Sequence, residues 1–546
     1  MKRKCRISGR EFELHDRDLK FYERMDVPVP DICPEEIWRS LMALRNEWKL
    51  YRRKCDATGD TIISAYHKNS PYKIYKNEYW WGDQWDGLDY GREFDFSRPF
   101  FEQFKELQLK VPREGTSVFK CENCDYNSHI RESKNCYLTS LVYRCEDNLY
   151  SSWLVNNKDL VDCHMMSDCE LCYECMDLEH CFGCVGSRHC ANCNDCFFSY
   201  QLVGCDHCIG CSNLHRKSYY IANKKVAKEE FERVKKEILN GTRDGWEKGK
   251  QYFQSMWNNT VHRFVHTLKC ENVVGDIMIN SKNCFSCFEG WDSEDCAYSL
   301  SLGTAKDVYH CYSSGWPNEE LTYYSAVTRG SQDIRFCYYI WFCSNMTYCD
   351  SCSSCQNCFG CVGLKHKQYC IFNRQYSKEE YFVLQKKIIQ HMKDSGEWGT
   401  MPPDLSTFAY NETAAQEHYP LTKQEVEKMG YQWLEENESS VRGEKYIVPD
   451  DLEQAEDNIV EKVLICQESG KPYKIIPKEL DFYKKMNVPI PVFCPQIRHQ
   501  YRWEKRNPCQ LFSRKCDQCQ KEIQSSFDPD RSEKVFCEEC YLRAVD

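Results

Sequence analysis

The chain of 546 residues reads as a mainly β protein. It is expected to hold two tandem cysteine-rich β-solenoid repeats of about eighteen residues per coil, with capping helices, flanked by duplicated small α+β zinc-ribbon or treble-clef modules. Three observations predict this. The sixteen cysteines from Cys121 to Cys211 are separated only by multiples of three, and Cys349, Cys352, Cys355, Cys358 and Cys361 keep that spacing strictly. Columns recur at eighteen, as in Cys145, Cys163, Cys181, with a second column (Cys172, Cys190, Cys208) offset by nine. The chain also matches itself twice, end to end and ladder to ladder. A plain strand would place cysteines two apart and a helix three and four apart alternately, so unbroken threes fit neither.

In chain order, residues 1–115 form an N-terminal module followed by an aromatic strap, Tyr79-Trp80-Trp81 to Phe100-Phe101. Such a run is expected to pack over a neighbouring domain. The first ladder and its closing helix take residues 116–245, and the second ladder and its helix residues 246–400. An acidic connector, read as solvated and carrying a helix after Thr422, covers 401–462, and a C-terminal module covers 463–546. The modules are copies: Cys5, Cys33 and Cys55 align without a gap on Cys466, Cys494 and Cys516. The ladders are copies too. Ser133-Lys134-Asn135-Cys136 matches Ser281-Lys282-Asn283-Cys284 at an offset of 148, and Cys205, Cys208, Cys211 match Cys355, Cys358, Cys361 at 150, so two residues are inserted between. Ser377-Lys-Glu-Glu380 is a capping box that opens the second closing helix.

Composition narrows the chemistry. Thirty-nine cysteines behind an N-terminus without an apolar stretch indicate a reducing cytosol, where dense cysteine means metal ligands or packed thiols. No segment is long and apolar enough for a membrane span. Both ladders carry more acidic than basic residues within a net charge of −11, which suits a protein partner better than a phosphate backbone.

The strongest site is Cys516-x2-Cys519 with Cys537-x2-Cys540, two knuckles separated by seventeen residues, which is the spacing of a tetrahedral zinc ribbon. One Zn2+ is expected there, with more if ladder cysteines such as Cys205, Cys208, Cys211 and Cys349, Cys352, Cys355, Cys358, Cys361 also bind metal. The companion knuckles Cys5/Ser8 with Cys33/Glu36, and Cys466/Ser469 with Cys494/Ile497, keep one cysteine each. Cys55 faces Thr58, Lys76 and Tyr79 at the other aligned positions, so these sites are expected to be empty of metal. His180, His189 and His207, each beside a cysteine, alternate to the outside and are read as a surface row. Each module also has a basic segment with interleaved aromatics. Arg45, Arg52, Arg53 and Lys54, and Arg502, Arg506, Arg514 and Lys515, are the nucleic-acid-binding candidates, with RNA the expected ligand.

Cys466-x2-Ser-Gly, Phe482-Tyr483-x-Lys-Met, Pro491 and Cys494-Pro-x2-Arg498 resemble the treble-clef zinc-ribbon domain, from whose pattern Ser469, Met486 and Ile497 depart. The whole chain resembles a family of long cysteine-rich bacterial proteins that end in such modules and are sometimes labelled CoA transferase. This resemblance implies architecture rather than activity. No HExxH, GxSxG, P-loop or dinucleotide fingerprint occurs. The functional expectation is therefore a non-enzymatic zinc-containing scaffold with a protein partner and RNA at the basic ends. The alternatives are a zinc or iron-sulfur redox protein that uses the ladders, and an enzyme of unrecognised type.

Overall fold

The computed structural model describes residues 1–124, 126–435 and 445–545. Strands dominate, and most are four residues long and parallel. In the first ladder Ser140 pairs with Ser152, Ser152 with His164 and His164 with Met176. Another edge runs Glu122, Lys134, Glu146, Lys158. Each step is twelve residues, not the expected eighteen. Hydrogen-bonded neighbours set the step, whereas cysteine columns mark only which positions face inward. Inward positions recur every three residues, so four fall in each step and eighteen residues is one and a half steps.

The period of three is local. Every third residue takes a left-handed backbone, as at Asn123, Asn135, Asp147, Asp159 and Asp168, and Gly183, Gly186, Gly204 and Gly210 hold equivalent places. Asn and Asp tolerate this region better than other non-glycine residues. They also reinforce the stack: Asn123 Nδ2 donates to Asn135 Oδ1 (3.0 Å) and Asn135 Nδ2 to Asp147 Oδ1 (3.0 Å).

The inward residues explain the cysteines. On three of the four columns, the backbone N–H of an inward residue is capped by the side chain twelve residues earlier. Cys145 N–H donates to Ser133 Oγ (3.1 Å), Asn157 N–H to Cys145 Sγ (3.3 Å), Cys169 N–H to Asn157 Oδ1 (2.7 Å) and Cys181 N–H to Cys169 Sγ (3.4 Å). Ser, Cys and Asn thus do one job. The thiols in turn donate to carbonyls, as Cys181 Sγ does to Glu179 O (3.3 Å) and Cys190 O (3.5 Å). The fourth column, Ile130, Val142, Leu154, Met166, Leu178, Cys190 and Leu202, is buried and, but for Cys190, aliphatic. Its residues lie within the strand pairing, Leu154 beside Val142 and Met166, so no side-chain cap is needed there.

The second ladder repeats the scheme, with Ala326, Tyr338 and Asp350 in register. Its inserted pair of residues lies between Gly315 and Glu319, where the pairing step widens from Gly303↔Gly315 to Ala305↔Glu319. Trp316 on this bulge packs against Tyr143 of the first ladder, with ring centroids 4.6 Å apart. Each ladder ends in an antiparallel hairpin and a helix, Lys228–Ile238 and Lys378–Asp394, which bury Phe231 and Tyr381. Ser377 Oγ accepts from the Glu380 N–H and Glu380 Oε2 from the Ser377 N–H, forming the capping box. The aromatic strap covers the end of the second ladder: Phe100 contacts Phe372 (5.2 Å) and Trp81 stacks on Trp341 (5.5 Å).

The modules cross over. The N-terminal module packs on the second ladder and the C-terminal module on the first, through matching contacts. Arg24 pairs with Asp307 (3.0 Å) as Lys485 pairs with Asp159 (3.0 Å). Tyr298 O–H donates to Asp18 (2.9 Å) as Tyr150 O–H donates to Glu479 (2.7 Å). Tyr22 meets Tyr323 as Tyr483 meets Tyr173. The connector departs from the solvated reading. Its helix after Thr422 forms (Lys423–Lys428), yet Leu405, Tyr410, Ala415 and Val426 are buried, Phe408 stacks on Tyr66 and Ser406 Oγ donates to Ala43 O. Apolar residues at intervals among the acidic ones let it lie along the N-terminal module. Its residues 436–444 lie outside the described residues. Among those described, no helix is long and apolar enough to cross a membrane.

Candidate metal centre

The hairpin Phe512–Lys515 with Glu522–Ser525 turns at the first knuckle, where Gln520 takes a left-handed backbone just after Cys519. The strand Lys534–Phe536 delivers Cys537, and the helix Glu538–Val545 carries Cys540 one turn on. Asp517 ties the knuckles together, accepting from the Val535 N–H (2.7 Å) and from Arg514 (3.1 Å). As a result the four sulfurs lie within 4.8 Å of one another, the one such group of ligand atoms among the described residues. Cys519 Sγ and Cys537 Sγ are 3.7 Å apart. A tetrahedron with bonds of about 2.3 Å requires about 3.8 Å, so the spacing fits a metal held by four thiolates.

The electrostatics favour a thiolate at Cys516. Burial raises its pKa, but the backbone N–H groups of Cys537, Cys519 and Gln518 outweigh this and bring it to about 6. The Cys537 N–H reaches Cys516 Sγ at 3.2 Å. Cys519 is the exposed ligand and the other three are buried.

The companion knuckles keep the shape with fewer ligands. Ser469 Oγ lies 3.7 Å from Cys494 Sγ and Ser8 Oγ 3.7 Å from Cys33 Sγ, the same separation as Cys519 to Cys537. Each offers two thiols and a hydroxyl, a poor donor set for zinc. At the fourth knuckle the Lys76 N–H reaches Cys55 Sγ (3.3 Å) and Lys76 Nζ pairs with Asp60 (2.7 Å). There an ammonium ion pair stands at the position aligned with Cys537.

The ladder candidates are placed differently. Cys205, Cys208, Cys211, Cys349, Cys352, Cys355, Cys358 and Cys361 are all buried inward. Cys349, Cys355 and Cys361 donate to carbonyls two residues back and nine ahead. Burial pushes Cys349 up, which keeps its proton for such bonds, whereas neighbouring thiols that donate to Cys355 and Cys361 outweigh burial and pull those two down. His180 is exposed, His207 half-buried beside Asp195, and His189 lies on the outside of its ladder but is covered by His266, stacked 4.0 Å away.

Three of the eight basic candidates are removed from any ligand by the fold. Arg45 is fully buried beside Glu47, Arg502 donates to buried Asp162 (2.6 Å) and Arg506 pairs with buried Glu289. Arg53 is tied to Asp56 and Arg514 to Asp517, while Arg52, Lys54 and Lys515 are exposed. Arg498, quoted above for the module's resemblance and not as a site residue, shares Asp162 with Arg502 (2.8 Å). A buried aspartate 336 residues away leaves no local signal. Compared with family models and with curated proteins, the chain matches none.

Proposed function

We propose that each ladder is a four-sided β-solenoid with a coil of twelve residues, and that the chain is a non-enzymatic scaffold holding one zinc in a C-terminal zinc ribbon. The carrying observation is how the thiols are used. Inward cysteines alternate with Ser and Asn as caps for backbone N–H groups, whereas the four sulfurs of Cys516, Cys519, Cys537 and Cys540 converge. The crossed packing of modules on ladders fits a rigid frame whose outer faces, with rows such as Glu122, Lys134, Glu146 and Lys158, meet a protein partner.

Metal analysis of anaerobically purified protein, with its visible spectrum, tests this reading. One zinc per chain and no colour is the expected result. Several zincs, or iron with thiolate charge-transfer absorption, would transfer the function to the ladders. RNA binding through the terminal modules is the second reading, supported by the exposed Arg52, Lys54 and Lys515. Arg52→Ala with Lys54→Ala should weaken binding to single-stranded RNA and flatten its salt dependence, and an unchanged affinity removes the reading.

A further inference from the structure

The duplicated frame is closed in one half and open in the other. At the offset of 150, Arg188, His189 and Tyr200 of the first ladder correspond to Tyr338, Tyr339 and Asp350 of the second. In the second ladder these positions are sealed. Tyr338 O–H donates to Asp350 (2.6 Å), which also accepts from Gln108 (3.1 Å) and from the buried Arg113 (3.2 Å). No such plug forms in the first ladder. There Met176, Arg188 and Tyr200 stack at successive twelve-residue steps, with Asp177 and His189 next to them in sequence. Together they border a cavity whose empty space is about 380 Å3 with its mouth included, and Trp257, His266 and Phe527 line its other sides.

Two opposite charges face this cavity without reaching each other. Arg188 lies across the Phe253 and Trp257 rings (4.6 and 5.5 Å). Among the described residues its one hydrogen bond goes to Lys505 O (3.4 Å), and no carboxylate lies at ion-pair distance from it. Lys505 is exposed at the mouth and likewise has no carboxylate there. The side chain of Asp177 is 9% exposed; its Oδ1 is sealed without a hydrogen bond, and its Oδ2 lies 3.7 Å from His189 Nε2, beyond hydrogen-bond reach. His189 does not neutralise it, because burial and the stacked His266 keep that imidazole uncharged. The other polar groups are engaged: His266 bridges Asp276 (3.1 Å) and Tyr200 O–H (3.0 Å), and Arg506 pairs with Glu289. Burial brings Arg188 down to about 10 and Asp177 up to about 6, so both are ionised at neutral pH. A largely buried charge without a partner is costly for a fold to keep.

We infer that this cavity binds a small zwitterion, an α-amino acid with a short side chain, whose carboxylate lies on Arg188 and Lys505 and whose ammonium lies on Asp177. A guanidinium fork matches a carboxylate through two parallel hydrogen bonds, and a lysine at the mouth adds a second cation. An amino acid brings both charges on one short frame and so satisfies both walls at once. An anion alone would leave Asp177 unpaired, and a cation alone would leave Arg188 unpaired. The rings of Tyr200, Trp257 and Phe527 offer apolar surface to the side chain, and the small space limits it to a few atoms.

The test is calorimetric titration of the full zinc-loaded chain with glycine and alanine, and with propionate and ethylamine, which are alanine without its ammonium and without its carboxylate. Glycine or alanine should bind, and propionate and ethylamine should each bind at least about tenfold more weakly. Arg188→Met should weaken amino-acid binding about ten- to hundredfold, the loss expected for a charge-assisted hydrogen bond. Asp177→Asn should weaken it by a similar factor without weakening propionate, a split that a general loss of structure would not produce. If Arg188→Met does not fold, Arg188→Lys is titrated instead. It keeps the charge but not the fork and should still bind more weakly. The proposal is overturned if neither glycine nor alanine binds at millimolar concentration, if propionate or ethylamine binds as tightly as alanine, or if the folded variants bind as the parent does.

Discussion

Replacing Cys169 by alanine separates a thiol that caps the backbone from one that binds metal. Cys169 Sγ accepts the Cys181 N–H (3.4 Å) and lies within bonding distance of Ser167 O (3.2 Å) and Leu178 O (3.5 Å), all in the buried interior of the first ladder. Alanine leaves the Cys181 N–H without a partner, which costs about 1–3 kcal/mol. The lost side-chain contacts add roughly 1 kcal/mol. Serine supplies the same donor and acceptor on a shorter arm and should cost under about 1 kcal/mol, as Ser133 already does this job for Cys145. The assay is amide hydrogen exchange at Cys181 in the zinc-loaded chain. Cys169→Ala should speed exchange by about 30-fold or more, corresponding to some 2 kcal/mol, and Cys169→Ser by less than about fivefold. Equal acceleration in both variants would refute the capping argument, as would loss of zinc in either one.

Asp162→Ala removes the carboxylate shared by the buried Arg498 and Arg502, leaving Arg498 with Glu479 and Arg502 with no carboxylate, and should destabilise the docking of the C-terminal module by about 3–5 kcal/mol, read by urea unfolding. Ser469→Cys with Ile497→Cys completes a second set of four thiols on a knuckle whose spacing already matches the intact one, and zinc per chain should rise from one to two by elemental analysis. Glu319 has a pKa raised to about 7 by burial, so the folded state holds its proton more tightly than the unfolded chain does. Its contribution to stability is therefore intact at low pH and is lost as pH climbs from about 4.3 towards 7. Glu319→Gln should consequently raise the melting temperature more at pH 8 than at pH 5, and an equal effect at both would contradict the assignment.

Much of this architecture was legible because it rests on local repetition. A backbone that returns to a left-handed residue every third position writes its period into the cysteines, and the duplication and the two-residue insertion appear as offsets between copies. The Cys516, Cys519, Cys537 and Cys540 group was equally plain, since each knuckle is a tight turn whose ligands are near neighbours in sequence. Only the tertiary structure decided the twelve-residue step, because pairing depends on which turn comes to lie beside which. It also decided that Arg45, Arg502 and Arg506 face inward. An arginine on a solvated helix and one sealed against Asp162 or Glu289 have the same sequence context, and the carboxylate that separates them comes from another part of the chain, brought there by the crossing of the modules.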